Sequence, residues 1–296
     1  MFIGQTRCNE IVVKRCIVMP SEIKLTEAEI ARFGNDPKTS FAANLVKVQE
    51  RIQAACQRSG RNIDDVRLLP VTKTVPANVL RLAYAAGISD FSENKLQEAR
   101  DKQAILSKYP INWSIIGHLQ TNKVKYLVRL ASEFHALDSF RLAEEINRRL
   151  DNMDRDMDVF VQVNTSGEES KYGLHPDDLL PFVERLSDYP RLKPRGLMTL
   201  AIFSSDEERV RTCFRLLRDL RDKAVKIHSG LTQLSMGMSG DFETAIEEGA
   251  TVVRVGQAIF GARPTDDAFY WPGFAPSKTD DASATNINAS LSPTST

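Results

Sequence analysis

The sequence predicts a single (β/α)8 barrel with one extra helix before the first strand. Eight short β-branched or apolar runs follow one another along the chain. Each run is followed by a helical pattern, and no linker-like stretch interrupts the series. Strands that alternate with helices form parallel sheets, and eight such repeats in sequence favour a closed barrel. An open, doubly wound sheet is the alternative, because a strand count from one sequence is easily off by one.

The predicted elements occupy the middle of the 296-residue chain, with a tail at each end. The candidate strands are Val66–Thr72, Ile88–Phe91, Asn112–Ile116, Phe134–Leu137, Val159–Val163, Pro194–Met198, Thr232–Ser235 and Thr251–Val255. The extra helix covers about residues 41–59, and the barrel domain is assigned to residues 39–264. Residues 1–38 are expected to be a flexible extension outside the fold. Residues 265–296 are rich in Ser, Thr, Asp and Asn, a composition typical of disorder.

Several predicted helices carry recognisable end signals. Asp138 is expected to cap the helix after the fourth strand, and Ser239 the helix after the seventh. Ser205 and Glu208 have the spacing of a capping box. Pro181 lies inside an otherwise helical pattern and is expected to kink it.

Charge and cysteine content narrow the range of partners and compartments. The chain has 39 basic and 39 acidic residues, a balance that gives no electrostatic reason to expect nucleic acid or an anionic membrane. The four cysteines are scattered without metal or disulfide spacing, which indicates reduced thiols in a cytoplasmic protein. No apolar run reaches transmembrane length, and Lys14 and Arg15 interrupt the apolar start. A weak organellar leader and an extended start before Met19 both stay open.

A lysine stands at the end of the first predicted strand. The carboxyl ends of barrel strands form the active face, so Lys73 is expected to point into the mouth of the barrel. Partial desolvation there lowers the pKa of an amine and frees it for imine formation. A solvated lysine at a strand end is the alternative interpretation.

Polar residues follow other strands at the same face. Asn94 is placed in the first turn of the next helix, where it either reaches a ligand or caps the helix. His118 belongs to a polar cluster after the third strand, and Asn164 ends the fifth. Met198 ends the sixth strand and is kept with the site, although methionine is usually core filler. Four histidines without a carboxylate partner at ligand spacing argue against a metal site.

Small and glycine-rich segments follow the seventh and eighth strands. Residues 234–240 run from a strand into a helix with free backbone N–H groups expected, and Ser235 and Ser239 add hydroxyls. Gly256 lets the backbone after the eighth strand approach an anion closely. Barrels often bind phosphate with these two loops, so the sequence predicts a phosphate site there.

A phosphate site opposite a reactive lysine fits two ligands, a sugar phosphate of a Schiff-base aldolase or pyridoxal 5′-phosphate (PLP). Arg254 favours PLP, because a guanidinium beside the pyridine nitrogen keeps that nitrogen unprotonated. An unprotonated ring is a weaker electron sink, which limits carbanion chemistry.

Seven segments in order resemble the pyridoxal phosphate homeostasis protein family over about residues 41–264. They are Leu69–Thr74, Phe91–Asn94, Ile116–Lys123, Val161–Lys171, Arg195–Met198, Leu234–Ser239 and Val253–Arg263. One departure is Ser92, where the family usually has glycine. The resemblance implies a barrel like the N-terminal domain of alanine racemase and a monomer.

The resemblance also implies roles for particular residues. Lys73 would form the Schiff base with PLP, and Arg254 would lie near the ring nitrogen. Phosphate contacts would come from Ser235, the Met236–Gly237 backbone and Gly256, while Asn94 would line the pocket.

The implied function is binding and homeostasis of PLP, with effects on vitamin B6 and amino-acid balance and without catalytic turnover. Expected partners are PLP and either PLP-dependent apo-enzymes or regulatory proteins. The alternative is an amino-acid racemase of the alanine racemase type, which needs acid–base groups on both faces of the substrate α-carbon. Lys73 supplies one face, and among the tyrosines Tyr172 is the candidate to examine for the other.

Overall fold

The computed structural model describes residues 23–262, and these form the predicted (β/α)8 barrel. All strand pairs are parallel, in the order β1-β8-β7-β6-β5-β4-β3-β2. The strands are β1 Arg67–Pro70, β2 Asp90–Glu93, β3 Asn112–Ile115, β4 Glu133–Leu137, β5 Met157–Gln162, β6 Leu192–Met198, β7 Gln233–Ser235 and β8 Val252–Val255. Each overlaps its predicted strand.

The ring closes between the two strands at the ends of this order. A parallel bridge joins Val71, just after β1, to Ser92 in β2. The N–H of Thr72 donates to the Ser92 carbonyl at 2.9 Å, and the Ser92 hydroxyl donates to the Pro70 carbonyl at 2.9 Å. These bonds leave no free edge there, so the open doubly wound sheet is wrong.

Helices surround the barrel and cover the strands with apolar faces. They are α1 Glu27–Phe33, α2 Pro37–Arg58, α3 Ala77–Ala85, α4 Leu96–Ile105, α5 Val124–Leu130, α6 Phe140–Asp151, α7 Leu179–Glu184, α8 Glu207–Ala224, α9 Phe242–Glu247 and α10 Gln257–Phe260. The predicted stripe of α8 is buried, as expected for an amphipathic helix on a core: Val210, Phe214, Leu217 and Leu220. Within residues 23–262, no helix is long and apolar enough to cross a bilayer.

The N-terminal boundary of the folded region differs from the expectation. Thr26 and Glu29 form a capping box that starts α1, and α2 begins at Pro37. Phe33 of α1 is buried and packs edge-to-face against Phe41, with ring centroids 6.1 Å apart. Apolar contact therefore holds residues 27–38 on the barrel, and the prediction that they lie outside the fold is wrong for this stretch. The expectations for residues 1–22 and 265–296 lie outside the described residues.

Three predicted helix ends and the predicted kink are wrong in detail. Asp206 caps α8 by accepting from the N–H groups of Glu208 and Arg209, so Ser205 is not the cap. Helix α6 starts at Phe140 and α9 at Phe242, so neither Asp138 nor Ser239 caps them. Pro181 lies in the first turn of the short α7, where a missing N–H costs no helical hydrogen bond.

Candidate cofactor site

The Lys73 turn, residues 72–75, follows the end of β1. The N–H of Val75 donates to the Thr72 carbonyl at 3.0 Å, and Thr74 has φ +66°. This pattern is typical of a type II turn, which ordinarily takes glycine at the third position. A β-branched residue there is strained by about 1–3 kcal/mol. The turn places Lys73 half-buried at the mouth of the barrel, between the buried residues Thr72 and Val75.

The β7 loop, residues 236–241, turns sharply at a left-handed glycine. Gly237 has φ +93°, and an added Cβ would lie 2.6 Å from Cβ of Ala245 and 2.9 Å from Cα of Phe242. The Gly237 carbonyl accepts from the N–H of Arg254 at 3.0 Å. The Met238 N–H donates to the carboxylate of Asp241 at 2.6 Å. Only glycine fits this turn, which presents backbone groups rather than side chains.

The β7 loop and the start of α10 are joined by one hydroxyl. Oγ of Ser239 accepts from the N–H groups of Gly256 and Ala258, at 3.3 and 3.4 Å. Ser239 therefore caps α10 and not the helix of its own loop. Among the hydrogen bonds of residues 23–262, none uses the N–H of Gly237 or Gln257. These two donors and the glycine backbone fit an anion such as the phosphate of PLP.

Arg254 lies inside the barrel beside this loop. Its Nη1 donates to Oγ of Ser235 at 2.8 Å, and its Nη2 donates to the Thr199 carbonyl at 2.7 Å. Burial lowers the pKa of Arg254 to about 10, so the guanidinium remains charged at neutral pH. Both donated bonds fix the plane of the guanidinium.

Ser235 is fully buried, and its hydroxyl connects Arg254 to a histidine. Oγ of Ser235 lies 2.9 Å from Nδ1 of His135. Oγ accepts from Arg254 and has its own proton available for Nδ1. The hydroxyl is thus engaged by two side chains, and its expected phosphate contact stays a prediction.

Glu133 and His135 extend this contact into a polar chain through the barrel. Nε2 of His135 lies 2.9 Å from Oε2 of Glu133, off the line of a hydrogen bond. Glu133 also accepts from Arg67 at 2.7 Å and from Ser114 at 2.9 Å. Burial raises the pKa of Glu133, but His135 and Arg67 outweigh burial and bring it to about 2. Burial lowers the pKa of His135 despite Glu133, so at neutral pH we assign a neutral imidazole beside an ionised carboxylate. His135 lowers the pKa of Glu133 only in acid, where the imidazole is protonated.

This polar chain comprises Glu133, His135, Ser235 and Arg254, of which the sequence predicts Ser235 and Arg254 as site residues but neither Glu133 nor His135. A signal was available, because Glu133 and His135 are two residues apart on β4 and so face the same side of the strand. Two polar residues on one face of an otherwise apolar barrel strand indicate a buried network.

Asn94 and Met198 occupy different environments. Asn94 is exposed and precedes α4 by two residues, so its expected place in the first helical turn is wrong. Its carbonyl oxygen lies 2.2 Å from where a Cβ on Gly117 would be, which explains the glycine there. Met198 is fully buried and pairs in register with Ser235.

The remaining polar candidates hold loops at the mouth. The ring of His118 stacks on Tyr172, with centroids 3.8 Å apart, and Nδ1 of His118 lies 3.4 Å from Asp138. Asn164 donates to the carbonyls of Glu168 and Lys171 and thereby folds the loop after β5. In the described part of the chain, no group of three or more His, Cys, Asp or Glu side chains is placed to hold a metal ion.

Comparison with known proteins identifies the family. Residues 43–264 match the N-terminal domain of alanine racemase. The chain is 44% identical over 220 residues to the pyridoxal phosphate homeostasis protein of Aquifex aeolicus (strain VF5), covering 74% of this chain and 96% of that protein. The chain belongs to the pyridoxal phosphate homeostasis protein family.

Solved structures with a similar fold include a family member and an alanine racemase. PipY of Synechococcus elongatus PCC7942, a structure with PLP bound, is 33% identical with a TM-score of 0.66, covering 75% of this chain and 100% of that one. An alanine racemase of Clostridium difficile 630 is 14% identical with a TM-score of 0.61, covering 77% of this chain and 57% of that one. The second likeness shows the fold alone.

Proposed function

We propose that this protein binds PLP on Lys73 and maintains the supply of the cofactor, without catalysing a reaction with it. One observation carries the proposal. The N–H of Val71 donates to the Val255 carbonyl at 2.9 Å, and an added Cβ on Gly256 would lie 3.0 Å from the Val71 carbonyl oxygen. The strand that presents the amine therefore adjoins the backbone that presents donors to a phosphate. The family is named after PLP, and PLP is bound in the structure of PipY.

The residues of the site fit the functional groups of PLP. The Lys73 amine would condense with the aldehyde, so that a C=N bond forms and one water molecule leaves. The N–H groups of Gly237 and Gln257 would donate to the phosphate. PLP supplies an electron sink when its ring nitrogen is protonated.

Arg254 supports a role without turnover. In our proposal this guanidinium faces the ring nitrogen and, being charged at neutral pH, donates a hydrogen bond to it without giving up the proton. Its Nη1 and Nη2 are held by Ser235 and Thr199, so it cannot swing away freely. A ring left unprotonated is a poor acceptor of carbanion charge, which suits storage better than racemisation.

The racemase alternative gains no support from the tyrosine that it needs. Tyr172 is 58% exposed, and its ring stacks flat on His118, with 6° between the two planes. A buried acid–base residue aimed at the substrate has neither property. We propose instead a cytoplasmic, monomeric carrier whose partners are PLP and either apo-enzymes or regulatory proteins.

A transfer experiment tests this function. Purified protein loaded with PLP is mixed with a PLP-dependent apo-enzyme, and recovery of enzyme activity is followed beside a racemase assay on L-alanine. The proposal predicts recovered activity in the apo-enzyme and no racemisation above buffer. Racemisation abolished by Lys73→Ala would contradict it.

A further inference from the structure

The Lys73 turn is held by side chains that approach from outside β1. The Thr74 N–H donates to Oε1 of Glu98 in α4 at 2.7 Å. The Thr74 carbonyl and hydroxyl accept from Nη1 and Nη2 of Arg32 in α1, at 2.6 and 3.0 Å. Every polar group of Thr74 is thus tied to another element of the fold.

The residue before Lys73 is tied to the same network. Nζ of Lys102 donates to the Thr72 carbonyl at 2.8 Å, to Glu93 at 2.7 Å and to Glu98 at 2.6 Å. An ammonium group has three donors, and all three are used. The Thr72 hydroxyl also donates to Oε1 of Glu93 at 2.6 Å. The carboxylate of Glu98 therefore joins the two neighbours of Lys73 in sequence.

The backbone conformation of this turn is not the one that its own residues favour. Thr74 has φ +66°, a conformation that glycine adopts readily and a β-branched residue does not. Strained residues of this kind persist only where the surroundings over-determine them, and they cluster at ligand sites. A buried ion pair adds little stability by itself, so stability alone does not account for the Lys102–Glu93 pair.

We propose that Glu98, with Lys102 and Arg32, is a positioning residue that holds the strained Lys73 turn. The turn then presents the Lys73 amine to the aldehyde of PLP in a pre-organised position. This role rests on the proposed function. Glu98 acts through Thr74 and does not touch the cofactor. The network therefore sets how fast and how tightly Lys73 captures PLP.

A double-mutant cycle separates this role from general support of the helix. The variants are Glu98→Ala, Thr74→Gly and the two combined, with Gln97→Ala as the matched control on the same helix. Glycine adopts the left-handed turn without help, so it should replace part of what Glu98 does. We expect Glu98→Ala to weaken PLP binding and slow its capture about tenfold, and the double variant to recover at least threefold of this loss. Gln97→Ala should stay within about twofold of wild type.

Hydrogen exchange of the Val75 amide measures how often the turn opens in the absence of the cofactor, because that amide donates the hydrogen bond that closes the turn onto Thr72. In PLP-free protein, Glu98→Ala should speed this exchange about tenfold, and Glu98→Gln, which keeps an acceptor for Thr74, should speed it less. Equal exchange in Glu98→Ala and Gln97→Ala would overturn the inference. So would a double variant that captures PLP no faster than Glu98→Ala. If the variants show the expected exchange pattern but the wild-type protein binds no PLP, the proposed function is refuted and the positioning of the turn is not.

Discussion

The two ends of the barrel are built in different ways. At the carboxyl end, the backbone takes conformations that most residues avoid, at Thr74 with φ +66° and Gly237 with φ +93°. At the amino end, charged pairs join strands: Arg67 of β1 with Glu133 of β4 across the barrel at 2.7 Å, and Arg195 of β6 with Asp158 of the adjacent β5 at 2.9 Å. The strained turn beside Lys73 lies at one end and charge pairs between strands lie at the other, which matches the division of barrels into a functional and a stabilising face.

The polar chain joins these two ends through the core. It begins at Glu133, on the amino side, and reaches Arg254 beside the β7 loop through His135 and Ser235. A variant at either end tests whether binding and stability are separate properties of this barrel. The comparison predicts that only changes at the carboxyl end weaken PLP binding, and that changes at the amino end lower stability while PLP binding is kept.

The largest effect is expected from Gly237→Ala at the carboxyl end. The new methyl group would meet Ala245 at 2.6 Å in a backbone conformation that disfavours alanine, at a cost of about 2–4 kcal/mol in unfolding free energy. Displacement of the β7 loop should weaken PLP binding at least tenfold. Gly240→Ala is the control, because its Cβ would have no heavy atom within 4 Å. Equal PLP affinity in the two variants would contradict a phosphate role for this loop.

The next effect concerns Glu133 and acid stability. Its pKa of about 2 lies below the ordinary value of 4.5, so it stabilises the fold above pH 4.5, and this contribution is lost as the pH falls toward 2. Wild type should lose about 3 kcal/mol across this window that Glu133→Gln does not lose. Urea unfolding between pH 6 and pH 2 measures the difference. Parallel pH profiles of the unfolding free energy for the two proteins would show that Glu133 is not the acid-sensitive group. The PLP affinity of Glu133→Gln at pH 7.5 should be close to that of wild type.

A moderate effect is expected at Ser235, where the two ends are connected. Ser235→Ala leaves Nη1 of Arg254 and Nδ1 of His135 without this partner, which should lower the unfolding free energy by about 1–3 kcal/mol. Thermal and urea unfolding measure this cost, and a PLP titration measures affinity. A large loss of affinity with unchanged stability would instead support the predicted role of Ser235 as a phosphate ligand.

The smallest effect is expected at Asp158 on the amino end. Its pair with Arg195 is half exposed, with 39% and 49% of the two side chains accessible, so Asp158→Asn should cost less than about 1 kcal/mol. Salt should remove most of that difference, since exposed pairs are screened. A cost above 2 kcal/mol that persists in 0.5 M salt (about 4 Å screening length) would mean that the amino end is held by more than the buried Glu133.

The features that could be predicted from the sequence are those that depend on local residue patterns. Strand periodicity and helix stripes were enough for the barrel, and the position of Lys73 and Gly237 after apolar strands was enough to place both at its mouth. The support of these residues could not be predicted in this way. Glu98 lies 24 residues from Thr74, and Ser239 caps a helix 18 residues later rather than its own. Such contacts depend on which elements become neighbours in space, and a cap signal does not say which helix it serves.

Borohydride trapping of the PLP-loaded protein, followed by peptide mapping, tests the central claim most directly. Reduction converts a C=N bond to a stable amine and fixes the cofactor to the lysine that holds it. The account predicts one pyridoxyl group per chain, on the peptide that contains Lys73, and a visible absorption band that disappears on reduction. A protein that stays colourless and unmodified with excess PLP, or one labelled only on lysines remote from Lys73, would contradict it.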